Sequence, residues 1–354
     1  MFRQVITIDI KSILLLITIT IIFILAYIFF TKKHKRHEVI KNSYVLGTLV
    51  NLRAYGNKAE KAIDEAIEKL NNIDDKMSAF KENSEISKIN FKAGISYEAV
   101  SDETYFVVKK AIEYSSILEE TFDPTIRPLV KLWSIGTKEE KVPEETEIMK
   151  KKKLVNYKDI ILEENSKSIM LKQKGQALDV GGIAKGFAAD EVQKVFLKHN
   201  IKSALIDLGG NIFALGSKEN DIPWRIGIQN PFEPRGEFLG ILSVRNKSVV
   251  TSGNYERYFM KEGKRFHHII DPRTGYPSES KIISATIISD NSIDGDGLST
   301  GIYILGVNKA LSIIEEIEGI EAILVTRDKK VYMTSKIGSI FELTNDEFIT
   351  GEKS

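Results

Sequence analysis

The chain has 354 residues, 42% of them hydrophobic and 28% charged, an ordinary composition for a folded protein with a sizeable core. Its formal net charge of +1 provides no field that would gather nucleic acid, which is set aside as a partner. It has no cysteine, so disulfides and thiolate metal sites are excluded and the redox compartment stays open.

In chain order the first feature is residues 13–30, an almost wholly apolar run without a charge, long enough as a helix to span a bilayer core of about 30 Å. A cleaved signal peptide has a shorter apolar region and ends in small residues, whereas this run ends in Tyr27, Ile28, Phe29 and Phe30. We therefore expect a single-pass transmembrane helix at 13–30, flanked by a tail (1–12) and a basic juxtamembrane linker (31–43), then a globular part (44–345) and a C-terminal tail (346–354). Lys32, Lys33, Lys35, Arg36 and Lys41 follow the run and only Arg3 and Lys11 precede it. Taken alone, the positive-inside rule leaves the globular part in the cytoplasm.

Residues 44–55 read as a strand, and Ala59, Ala62, Ile63, Ala66, Ile67 and Leu70 then recur at helical spacing. Further helices are expected at 102–119, with Ser101 as N-cap, at 184–199 and at 308–318. Short β-branched runs at 203–208, 224–229, 240–244, 282–289 and 321–326 read as strands. The charged stretch 138–153 reads as a surface helix or loop. The order of elements is α+β, without strict βαβ alternation.

Three segments carry chemistry. Asp179-Val-Gly-Gly-Ile-Ala-Lys-Gly186 is a Gly-rich turn between an apolar strand and a helix. A phosphate suits its exposed amides, the helix N-terminus and Lys185, although a plain strand-to-helix junction has the same spelling. In Asp294-Gly-Asp-Gly-Leu-Ser-Thr300, Asp296 and Thr300 share a face on a helical turn and can hold a hard cation by oxygen. The same residues would also serve as an N-terminal cap. His267-His-Ile-Ile-Asp-Pro-Arg-Thr-Gly275 sets a histidine near a carboxylate, as a general base or as a hydrogen-bonded turn. Phe122-Asp-Pro-Thr, Leu208-Gly-Gly-Asn211 and Thr251-Ser-Gly253 are suggestive only in company.

Together, in this order, and with Met77-Ser-Ala-Phe-Lys-Glu-Asn-Ser-Glu-Ile-Ser-Lys-Ile-Asn90 and Pro128-Leu-Val-Lys-Leu-Trp133, these blocks resemble the ApbE family, the FAD:protein FMN transferases, over about residues 46–334. The resemblance implies an α+β, T-fold-like domain that takes FAD as substrate, with FAD contacts at Leu46, Phe80, Thr121, Phe122, Asp123, Asp179, Lys185 and Ile270. Leu46 stands where the family often has methionine, and Phe80 where it often has tyrosine. It also implies magnesium held by the Gly182 carbonyl, Asp296 and Thr300, with Ser299 adjacent.

The activity so implied is magnesium-dependent transfer of FMN from FAD to a threonine or serine hydroxyl of an acceptor protein, releasing AMP. His268 or Asp271 would orient or deprotonate that hydroxyl. The acceptor implied is a flavin-bearing subunit of an Rnf-type or sodium-pumping Nqr-type complex. Family habit places the catalytic part on the outer face of the cell membrane, against the charge count. Two rivals share the residues: a pyrophosphatase splitting FAD to FMN and AMP, and a non-catalytic flavin-binding protein.

Overall fold

The computed structural model describes residues 9–31, 37–218 and 221–352, without the side chains of 12, 13 and 24–31. The chain divides into two compact units, Met1–His37 and Glu38–Ser354. In the first, helix α1 spans Ile10–Thr31. Among the described residues no helix is long and apolar enough to cross a membrane. The transmembrane helix expected at 13–30 is corrected accordingly, and with it the membrane as a partner and a cell-membrane localisation. The side chains of Ile13 and of residues 24–30, and the flanking Arg3, Lys32, Lys33, Lys35 and Arg36, lie outside the described residues.

The second unit opens with β1 (Glu38–Val45), β2 (Thr48–Tyr55), α2 (Ala59–Met77), α3 (Glu85–Phe91), β3 (Glu98–Ala99), α4 (Asp102–Ile117), α5 (Arg127–Trp133) and α6 (Glu145–Lys152). It continues through β4 (Ile160–Glu163), β5 (Ser168–Leu171), α7 (Ala184–Lys198), β6 (Ser203–Leu208), β7 (Asn211–Gly216), β8 (Trp224–Gln229), β9 (Phe238–Val244) and β10 (Lys247–Gly253). Last come β11 (Tyr258–Lys261), β12 (Lys264–His267), β13 (Ile282–Ser289), α8 (Ser292–Leu305), α9 (Val307–Glu315), β14 (Glu321–Thr326), β15 (Lys330–Met333), β16 (Phe341–Leu343) and β17 (Ile349–Thr350).

The class is α+β, as expected. Helix α2 buries Ala59, Ala62, Ile63, Ala66, Leu70, Ile73 and Met77, one stripe at helical spacing. Helix α4 starts at Ser101, whose hydroxyl accepts the Thr104 amide. The single strand read at 44–55 is instead a hairpin, β1 and β2 pairing around Leu46 and Gly47. Both turn residues have positive φ, 55° and 68°, the two-residue turn that matches strand twist. Leucine is a poor sequence signal for that conformation.

A nine-stranded sheet, ordered β1-β2-β6-β7-β10-β13-β14-β15-β17, forms the middle layer, antiparallel except where β17 joins β15. Helices α2, α7 and α8 pack on one face, and the sheet β16-β9-β8 adds a third layer. Every residue of β13 is buried: Ile282, Ala285 and Ile287 belong to the main core, and Ile283 and Ile288 to the core around Trp224 and Leu242. Such two-sided burial explains why the strand shows no regular alternation of apolar and polar residues. A small third cluster, Leu129, Trp133, Ile148 and Ile270, ties the 266–277 loop to α5 and α6.

Candidate active site

Helices α7 and α8 touch because Gly186 has no side chain. A Cβ there would lie 2.3 Å from the Ser292 carbonyl oxygen and 2.7 Å from the Asp296 Cβ, closer than any real contact. The start of α8 is capped by its neighbour: the side chain of the N-cap Asn291 makes no capping bond, and Asp190 of α7 accepts the amides of Ser292 and Ile293 at 2.6 and 2.9 Å. Burial pushes Asp190 up to about 6, with those two amides pulling the other way. Asp294 takes the Tyr114 hydroxyl.

Asp296 is 4% exposed. Its Oδ2 accepts the Gly186 amide at 2.9 Å, and the Lys185 ammonium donates to Oδ1 at 3.1 Å, to Oδ2 at 3.4 Å and to the Gly181 carbonyl at 3.1 Å. Ser252, at the end of β10, lies 2.8 Å from the Ser299 hydroxyl and 3.3 Å from that of Thr300. Ser299 donates to the Asp296 carbonyl at 3.2 Å. A carbonyl only accepts and each hydroxyl has one hydrogen, so the chain runs Thr300 to Ser252 to Ser299 to the carbonyl. That direction leaves the Thr300 oxygen its lone pairs, while Ser299 is fully buried and spent. Gly182 lies against Phe122, whose ring would be 3.1 Å from an added Cβ.

The turn before α7 is not led by a strand: Ala177 makes only an isolated bridge to Ile126. Asp179 does not cap α7. Its carboxylate takes the Gly181 amide at 3.0 Å and Arg127 at 3.1 Å. Arg127 also donates to the Ala79 carbonyl at 3.0 Å and stacks 4.1 Å from the Phe80 ring centroid, with Phe80 itself 76% exposed. Asn90 of α3 grips the same turn through both main-chain groups of Leu178. Thr121 and Asp123 turn inward. Thr121 donates to the carbonyls of Leu118 and Gly301. Asp123 accepts the amide and hydroxyl of Thr125 and the Tyr157 amide, and burial raises it.

The two histidines part as alternate strand positions do. His267 is buried, with Nε2 donating to the Ser278 carbonyl at 2.9 Å and Nδ1 accepting the Ile269 amide. Burial holds it down to about 4. His268 is half-buried, with Nδ1 donating to the Arg257 carbonyl at 3.2 Å. Burial first, then the charge of Arg257, hold it down to about 3, and Lys185 is near enough to add to that effect. His268 is therefore neutral near pH 7, with its lone pair on Nε2. Asp271 accepts from Arg273 three times, at 2.8 to 3.0 Å.

The structure thus gathers Lys185, Asp296, Ser299, Thr300 and the Gly181 carbonyl in one cluster. Phe122 packs on the adjoining Gly182, and Phe80 meets Asp179 through Arg127. Leu46, in its hairpin, and Ile270 and Asp271, in the loop after β12, make no hydrogen bond to that cluster. Ser252, Arg127 and Asn90 are additions. Ser252 and Asn90 stand inside the sequence blocks given above and Arg127 between two of them, where acids, prolines and glycines are the stronger chemical signals. Among the described residues no group of three or more His, Cys, Asp or Glu could hold a metal. A cation here would rest on one carboxylate plus hydroxyl and carbonyl oxygens. The surface groove lined by Glu65, Lys69, Glu191 and Lys198, about 350 Å³, shares no residue with the cluster, and its charges pair with one another.

The model of the ApbE family matches residues 46–324. An FAD:protein FMN transferase of Klebsiella pneumoniae (strain 342) is 35% identical over 294 residues, covering 83% of this chain and 91% of that protein. Another, of Treponema pallidum (strain Nichols), is 32% identical over 329 residues, covering 88% and 91%. Among solved structures, an ApbE protein of Thermotoga maritima superposes with a TM-score of 0.79 at 29% identity, covering 86% of this chain and 99% of that one. The flavin transferase ApbE of Vibrio cholerae does so with 0.78 at 26%, with the same coverage.

Proposed function

The chain belongs to the ApbE family of FAD:protein FMN transferases, and from that premise we propose that it transfers FMN to a threonine or serine hydroxyl of an acceptor protein, with magnesium, releasing AMP. The observation that carries this is the oxygen set on α8: the buried Asp296 carboxylate, and one turn on the Thr300 oxygen, whose lone pairs the Ser252 chain leaves unused. Magnesium is commonly held by one or two carboxylates together with substrate phosphates, so Asp296 and Thr300 fit it, and the Gly182 carbonyl would complete the set. When bound, the ion supplies charge neutralisation at a diphosphate and at the leaving AMP.

The remaining steps belong to the chain's own groups. Arg127 and Lys185 are the cations nearest the Gly-rich turn and favour an anionic dinucleotide there. Phe80 offers an exposed ring for flavin or adenine. His268 presents a neutral Nε2 that would accept a hydrogen bond from the acceptor hydroxyl and orient it. Asp271, its charge taken up by Arg273, shapes the turn that carries His268. The acceptor is a protein exposing a threonine, such as a flavin-bearing subunit of an Rnf- or Nqr-type complex.

Incubating the purified chain with FAD, magnesium and a threonine-bearing acceptor domain should give flavin fluorescence that survives a denaturing gel. Free FMN and AMP with no labelled protein would instead mean pyrophosphatase action. Asp296→Ala, still folded and still binding FAD, should lose at least about 100-fold in transfer rate. An undiminished rate would remove the proposal.

A further inference from the structure

Lys185 stands where a cation at Asp296 would have to go. Its ammonium touches both Asp296 oxygens, at 3.1 and 3.4 Å, and the Gly181 carbonyl, at 3.1 Å, a carboxylate and a backbone carbonyl being the donors a hard divalent ion uses. The two partners are unequally covered. The Asp296 side chain is 5% exposed and that of Lys185 28%, so the acid is fixed in the interior and the ammonium reaches in from outside. The Gly186 amide holds Asp296 Oδ2 independently of Lys185, and the Gly186 contact with α8 fixes that amide in turn. The carboxylate would keep its place if the ammonium left.

We propose that Lys185 is a resident counter-cation of the Asp296 pocket, which a divalent ion must displace in order to bind, and which is then free for an anionic ligand. This rests on the metal-dependent reading above. Two consequences follow from charge alone. The free protein binds magnesium weakly, because each ion must evict an ammonium from the same oxygens. A diphosphate offers the ammonium another anion, so ion and dinucleotide tighten one another's binding by equal factors.

The test is magnesium binding without FAD, by isothermal titration calorimetry and by the magnesium-dependent shift in Tm, on the full chain. Lys185→Met should bind magnesium at least ten-fold more tightly than the native chain and show a larger shift in Tm. Lys185→Gln, which keeps a donor for the Gly181 carbonyl but no charge, should do the same. In the native chain a non-transferable FAD analogue should raise magnesium affinity, and in Lys185→Met this coupling should shrink. Magnesium affinity in both variants equal to or below the native value would overturn the proposal, as would absence of coupling in the native chain. If native transfer requires magnesium while the variants bind it no better, only the displacement idea fails. If native transfer proceeds without magnesium, the reading beneath it fails too.

Discussion

His268 and Asp271 share one turn, yet their surroundings differ. Asp271 is clamped by its own neighbour Arg273, whereas His268 uses Nδ1 on a carbonyl and keeps Nε2 for another partner. Replacing His268 by alanine should leave FAD affinity within about two-fold and slow transfer by about 10²-fold, as for a lost orienting contact. Fluorescence titration and single-turnover kinetics check the two halves. Because His268 is held down to about 3, its titration should contribute no acid limb near pH 6.5 to the native rate profile. At this scale the sequence made Lys185 and Asp296 legible through type and spacing, but not their pairing across 111 positions. Nor was the inward turn of Thr121 and Asp123 readable, since a polar residue in a loop block looks the same whether it faces a ligand or its own backbone.

Helices α7 and α8 depend on each other for both spacing and capping. Gly186→Ala places a methyl against the Ser292 carbonyl oxygen and the Asp296 Cβ, and backbone on one side gives it little room to relax. It should cost about 1–3 kcal/mol of stability in urea unfolding and weaken FAD binding as Asp296 shifts. Elements with strong local signals were readable: β8, β13 and β14 have the limits expected, and α7 and α9 begin within one residue of them. The β1–β2 hairpin was not, because Leu46 takes a left-handed conformation that neighbouring geometry imposes rather than leucine prefers. The strand expected before the Gly-rich turn was not realised, because that apolar stretch is held by side chains such as Asn90 rather than by a ladder.

Across the whole molecule, buried neutral histidines set part of the acid response. His267 is held down to about 4 against about 6.5 in an unfolded chain. The unfolded state therefore binds the extra proton between those values, and stability falls as pH drops through 6.5 and on towards 4. Asp190, raised to about 6, acts in the opposite sense between about 6 and the ordinary carboxylate value near 4, so a bare pH profile mixes the two. The clean measurement is the difference between native protein and His267→Gln in urea unfolding at pH 7.5 and 5.5. The native chain should lose about 1 kcal/mol more than the variant. How the sheet layers close over such groups was not legible, because burial of one side chain is decided by strands far away in sequence.

Helix α8 is enclosed on several sides: Gly186 admits α7, Gly295 would strike Val250 of β10 with a Cβ at 2.8 Å, and Gly297 would meet Tyr114 of α4 at 2.4 Å. An acid mounted on so confined a rod cannot be re-aimed by repacking around it. Whatever adjustment substrates demand must come from the open side, from Lys185, Arg127 and the polar turn after Ser252. Attempts to alter nucleotide or acceptor preference should therefore succeed there and fail along the buried face of α8.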